Sequence, residues 1–223
     1  MNKFTGIAVL AAVLISAQAQ ANVTVGATRL IYNGDKKEAS LSVTNSGKSP
    51  YLIQSWVETE TSSGKAPFII TPPLFRLDGG QNNLLRVVRT GGNLPENRES
   101  LFWMNIKAIP STSGKANQNT LQLAVNTKLK LIYRPSGLKG VPEDVAQSLK
   151  WSRSGNQLHV SNPTRFYMNL AKVQINGKDV SATYVAPEST ADFTLPQGVT
   201  GGEVTWSVIN DYGGAGKVWR TKI

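Results

Sequence analysis

Cysteine is absent from this chain of 223 residues. That removes disulfides, thiolate nucleophiles, redox pairs and zinc–thiolate centres together. Histidine is almost absent too: His159, in the run "NQLHVSN", is the only one. A centre needing several imidazoles is excluded. A lone strand histidine reads as a surface or half-buried residue rather than as part of a Ser–His–Asp relay. Negative charge is scarce, with 14 Asp and Glu against 24 Lys and Arg, a formal net charge of +10. The basic residues are scattered, with no run interleaved with aromatics. The excess therefore implies attraction to acidic surfaces without pointing to nucleic acid. No stretch reaches the roughly 20 consecutive apolar residues of a membrane-spanning helix. "GGAGKV" (Gly213–Val218) lacks the spacing of a phosphate-binding loop, and neither GxSxG nor HExxH occurs. The sequence reads as a non-enzyme that calls for no metal and no cofactor.

What is present begins with "MNKFTGIAVLAAVLISAQAQANVTV". Lys3 supplies a positive start, Ile7–Ile15 an apolar stretch, and Ala19-Gln20-Ala21 a small-x-small cleavage site. This is the pattern of a secretory leader, residues 1–21, expected to be removed after Ala21. The exported remainder, without disulfides, must draw its stability from hydrophobic cores.

Beyond the leader, short β-rich runs recur between Gly, Pro, Asn and Asp. The first set is Val23–Tyr32, Glu38–Thr44, Tyr51–Glu60, Phe68–Leu77, Asn83–Thr90, Leu101–Ile109 and Thr120–Arg134. Pro72-Pro73 demands an edge, a bulge or a strand end. "PSGLKGVPED" then forms a corner, followed by a second set: Ser148–Ser152, Gln157–Ser161, Arg165–Ile175, Val180–Val185, Ala191–Leu195, Glu203–Ile209 and Gly216–Ile223. Asn176-Gly177 is a strong hairpin signal, and "VPEDVAQSLKW" allows at most two helical turns. The expectation is an all-β chain of two immunoglobulin-like antiparallel sandwiches, residues 22–138 and 139–223.

The run "TLQLAVNTKLKLIYRP" (Thr120–Pro135) stands out. Leu121, Leu123, Val125, Thr127, Leu129, Leu131 and Tyr133 share one parity, with Lys128, Lys130 and Arg134 on the other. It is longer than an ordinary strand of about five or six residues, so part of it is expected to reach beyond its own sheet.

Four stretches carry more than composition: "GATRLIYNG" (Gly26–Gly34), "ITPPLFRL" (Ile70–Leu77), "NRESLFWMNIKAIP" (Asn97–Pro110) with "NTKLKLIYRP", and "INDYGG" (Ile209–Gly214). In this order and spacing, behind a leader, they resemble the periplasmic chaperones of the chaperone–usher pathway, which assemble fimbriae. The resemblance implies two immunoglobulin-like domains set in an L or boomerang. It also implies a periplasmic protein whose partners are fimbrial subunits and an outer-membrane usher. Leu121, Leu123 and Val125 match the family's donor residues, which complete a subunit's sandwich by strand addition. Arg29 and Lys130 match the pair that binds the subunit's C-terminal carboxylate, with Lys128, of the same parity, as the alternative lysine. Glu99, Arg134 and Asp211 match charges that join the domains. Leu52, Gln54, Pro73, Leu74 and Arg86 match the face shown to the usher. The chain departs from its relatives at Asp78-Gly79-Gly80, where proline is frequent. The short connection Ser111–Thr120 and the lack of cysteine fit the short-loop subset. The readings left beside this one are a fimbrial structural subunit and an exported β-sandwich binding protein. A subunit would carry an N-terminal extension ahead of its first strand, and here a strand follows the cleavage site at once. Self-association through the apolar strand in the client-free state is left open.

Overall fold

The computed structural model of the protein describes residues 22–111 and 121–223. The expected leader and most of the connection ahead of the long run, residues 112–120, lie outside them.

Alternation builds the first sandwich. One sheet holds β1 (Val23–Val25), β3 (Glu38–Asn45), β5 (Phe68–Thr71) and β7 (Asn82–Arg89), in the order β1-β3-β7-β5. The other holds β2 (Arg29–Asn33), β4 (Tyr51–Thr59), β6 (Leu74–Leu77), β8 (Ser100–Pro110) and β9 (Val125–Arg134), in the order β2-β9-β8-β4-β6. Every second residue turns inward: Leu41 and Val43, Leu85 and Val87, Met104 and Ile106, Leu129 and Leu131 are all buried. Each such side chain contributes about 1.5–3 kcal/mol of transfer free energy.

Three expectations need correction. Val23–Tyr32 is two strands in two sheets, because the chain crosses at Gly26, where a Cβ would run into the Ser42 hydroxyl. Phe68–Leu77 is likewise divided between the sheets at Pro72-Pro73, whose rings leave no N–H for a ladder. The long run enters its sheet only at Val125. The β8–β9 ladder ends at Ala108↔Val125, and the next β8 residues end at Pro110, which has no N–H to offer. Leu121–Ala124 thus have no partner strand among the described residues. One pairing also departs from antiparallel, since β2 and β9 run parallel.

The second sandwich pairs β10 (Lys150–Ser154), β11 (Gln157–Asn162) and β15 (Ser189–Thr194) in one sheet. Its other sheet follows the order β13 (Lys178–Asp179), β12 (Met168–Ile175), β16 (Glu203–Val208), β17 (Trp219–Lys222). A two-residue strand, β14 (Tyr184–Val185), pairs with the start of β12. Asn176 and Gly177 both have positive φ, 49° and 78°, and close the hairpin between Ile175 and Lys178. Arg165–Ile175 contributes a strand only from Met168. Before it, the Asn162 amide binds the carbonyls of Phe166 (2.8 Å) and Ala186 (2.9 Å) and holds the chain in a loop. The helical stretch is one turn, α1 (Pro142–Val145), followed by a 3₁₀ turn at Ala146–Ser148.

The sandwiches meet directly. Leu101 and Ile132 of the first pack with Tyr167 of the second, flanked by Ile31, Trp103, Tyr184 and Ala186.

Candidate functional site

β9 gives its two faces to two different neighbours. Leu129, Leu131 and Tyr133 enter the first core, while Ile132 and Arg134 turn to the second domain and are buried there. Parity fixes this division, because one strand that is apolar on both sides is shared between two bodies.

At its inner end Arg134 lies between carboxylates of the two domains. Its Nε donates to Glu99 Oε1 at 2.7 Å, and Nη1 and Nη2 donate to Asp211 Oδ2 and Oδ1 at 2.6 and 2.8 Å. The other Glu99 oxygen accepts the Tyr167 backbone N–H at 2.7 Å. Burial works against the Arg134 charge, yet Asp211 and Glu99 outweigh it and push its pKa up. Burial also pushes the Glu99 carboxyl above its usual range, against the opposing pull of Arg134 and the Tyr167 N–H. Gly213 lies against Thr28 of the first domain so closely that a Cβ there would strike the Thr28 hydroxyl.

Four residues outward, the parallel register sets Arg29 opposite Lys130. Arg29 is buried, and its Nε–H has no acceptor among the described residues. Burial pushes its pKa down, with Asp211 opposing. Burial and then the adjacent Arg29 push Lys130 down to about 8, against the pull of Glu60. The Lys130 ammonium donates to Asn169 Oδ1 and sits 4.3 Å from the Tyr184 ring centroid. A buried and a half-buried cation side by side, the first with an orphan donor, form a ready receptor for a carboxylate leaving water.

The two lysines of this face are separated by their partners. Lys128 donates to Glu58 at 3.1 Å and lies over the Trp103 ring, away from Arg29. The Trp56 indole N–H and Lys128 hold the Glu58 carboxyl below its usual range.

Beyond Lys128 the core-facing parity continues into open space. Val125, Leu123 and Leu121 are 63%, 68% and 86% exposed. The expected usher face is divided. Leu52, Gln54 and Leu74 lie together on the outer side of one sheet, through the Gln54↔Leu74 pairing. Arg86 lies on the outer side of the other, beside Thr71, with Pro73 at the crossover between them. His159 is half-exposed and pairs across strands with Asp192 at 2.7 Å.

Sequence reasoning missed four residues of this region. The Tyr167 and Tyr184 hydroxyls both donate to Glu60, at 3.0 and 2.8 Å, and Asn169 holds Lys130. These partners lie 107, 124 and 39 positions apart, beyond any local pattern.

Two family models cover nearly all of the described chain. The pili and flagellar-assembly chaperone PapD N-terminal domain matches residues 22–139, and the pili assembly chaperone PapD C-terminal domain matches residues 144–219. The chain belongs to the PapD-like pilus-assembly chaperones. Among curated members, the probable fimbrial chaperone LpfB of Escherichia coli O157:H7 is 47% identical over 86% of this chain and 84% of its own length. FimC of Escherichia coli K12 is 42% identical over 93% and 87%. Among solved structures, SafB, a chaperone of Salmonella enterica crystallised with the SafA pilin, superposes with a TM-score of 0.86. It is 43% identical and covers 93% of this chain and 99% of that one. The Escherichia coli chaperone DraB superposes with a TM-score of 0.81 at 44% identity, covering 90% and 96%. As a pilus-assembly chaperone, the chain is set apart from the fimbrial subunits that the sequence also admitted.

Proposed function

We infer that this chaperone works in the periplasm as a binding protein without catalytic chemistry or cofactor. It stabilises fimbrial subunits by donor-strand complementation and delivers them to an outer-membrane usher. The observation that carries this reading is the face of β9 continued ahead of Val125. Leu121, Leu123 and Val125 continue the parity of a buried core face, yet they are exposed and, among the described residues, nothing pairs with the strand ahead of Val125. A sandwich lacking a strand would receive alternate apolar side chains and backbone hydrogen bonds from this segment. Arg29 and Lys130 bind the subunit's terminal carboxylate and so set register, because a slip of one residue would turn the apolar set outward. The working units are residues 22–138 and 139–223, joined through Glu99, Arg134 and Asp211. Leu52, Gln54, Pro73, Leu74 and Arg86 face the usher from two sides of the sheet crossover. Co-expression tests the anchor: with Arg29→Ala or Lys130→Ala, a folded chaperone should leave its subunit to be degraded. Normal subunit levels with both variants would remove the assignment.

A further inference from the structure

Both charges of the proposed carboxylate anchor come from the first domain, but the second domain holds one of them in place. Asn169 on β12 is 2% exposed and accepts a hydrogen bond from the Lys130 ammonium. Tyr184 on β14 is its cross-strand partner and sets its ring face 4.3 Å from the same ammonium. Tyr184 is fixed in turn, because its hydroxyl donates to Glu60, the residue just after β4 in the first domain. That carboxylate also takes the Tyr167 hydroxyl. The lysine is thus seated by a two-residue unit that is itself clamped back onto the first domain.

Such a seat has work to do. Lysine carries a compact charge on a flexible four-carbon stem with three rotatable donors. Its register neighbour Arg29 repels it, and the side chain is only half-buried. Unseated, the ammonium would move toward solvent and away from Arg29. Asn169 occupies one of its three protons and the ring supports its charge. We propose that Asn169 and Tyr184 are positioning residues that hold the Lys130 ammonium beside Arg29 with two donors left for the client carboxylate. The inference rests on the carboxylate anchor proposed above. Its consequence is that the anchor is complete only when the two domains are docked.

A double-mutant cycle tests it, using the full chain and the fimbrial subunit identified by co-purification with it. Asn169→Leu keeps volume and removes the acceptor. It should raise the subunit's dissociation rate about tenfold when Lys130 is present, and leave it unchanged in a Lys130→Ala background. Tyr184→Leu, at a half-buried position on a two-residue strand, puts less of the fold at risk. It should raise the rate about threefold, again only when Lys130 is present. Equal losses in both backgrounds would mark Asn169 and Tyr184 as merely structural and overturn the inference. So would no loss from either variant while Lys130→Ala weakens binding. If Lys130→Ala itself has no effect, the carboxylate anchor fails instead.

Discussion

At Lys130 burial and a neighbouring arginine favour the neutral amine, while a bound carboxylate would favour the ammonium. With the free amine's pKa at about 8, the client would bind the charged form. Arg29, Glu60 and Asp211 also act on this pair, as do Tyr184 and Asn169. Arg29 stays charged throughout, and burial with Glu60 pushes the Tyr184 hydroxyl up to about 12, out of the range considered. Subunit affinity should therefore be flat up to about pH 7.5 and fall above pH 8, by at most about tenfold per pH unit. The stability of the free chaperone has the opposite sign. Between about pH 8 and the ordinary lysine value near 10.4, the unfolded chain binds more protons at this site, so Lys130's contribution improves with pH. Affinity titrated by calorimetry at pH 7 and 9 checks this, with Lys130→Arg as the variant expected to lose the dependence. The charge of this pair was legible in the sequence, its environment was not. Asn169 sits in an ordinary β run, "YMNLAKV", and nothing nearby marks its amide as a ligand for a lysine 39 positions away.

At the scale of the element, the run Leu121–Arg134 has an inner half that folds the protein and an exposed outer half that we propose serves a partner. The distinction is testable by matched substitutions. Leu123→Glu should abolish subunit binding and shift the thermal midpoint little, because Leu123 is largely exposed. Leu131→Ala, on the same face but fully buried, should cost about 2–5 kcal/mol in denaturant unfolding. A large loss of stability from Leu123→Glu would make it ordinary core. The alternation that separates these faces was readable directly, since a strand's period is two. The start of the ladder was not: it depends on β8 ending at Pro110, just past the Ala108↔Val125 pair, a fact about pairing. Nor was the parallel direction of β2 against β9, because alternation carries no direction. The crossovers at Gly26 and Pro72-Pro73 show the same limit. The residues signalled a break, and only the pairing revealed a change of sheet.

For the whole molecule the joint matters, because the proposed anchor draws its charges from the first domain and the seat of Lys130 from the second. Arg134 neutralises the buried Glu99 and the half-buried Asp211, and removing one member of a buried pair costs about 3–5 kcal/mol. Arg134→Ala should leave two folded domains, loosen their relative orientation in solution scattering and weaken subunit binding. Its stability deficit should grow with pH. Burial already raises the Glu99 pKa, and loss of Arg134 raises it further. A folded-state pKa above the unfolded value gives stability that is present in acid and lost as pH rises through it. Adding Glu99→Gln should recover part of that loss at pH 8 and little at pH 5. An unchanged scattering envelope with unchanged affinity would return these residues to independent surface charges. The order of the two sandwiches and their corner was visible in turn-rich composition. The polar clasp through Glu60, Tyr167 and Tyr184 was not, since it is made by residues more than a hundred positions apart. The most direct test of the account is amide hydrogen exchange across residues 121–125, measured with and without the subunit that co-purifies from the periplasm. Rapid exchange is expected in the free chaperone and strong protection of this segment in the complex, at the register proposed for Arg29 and Lys130. A stable complex in which these amides exchange as fast as in the free protein would contradict it.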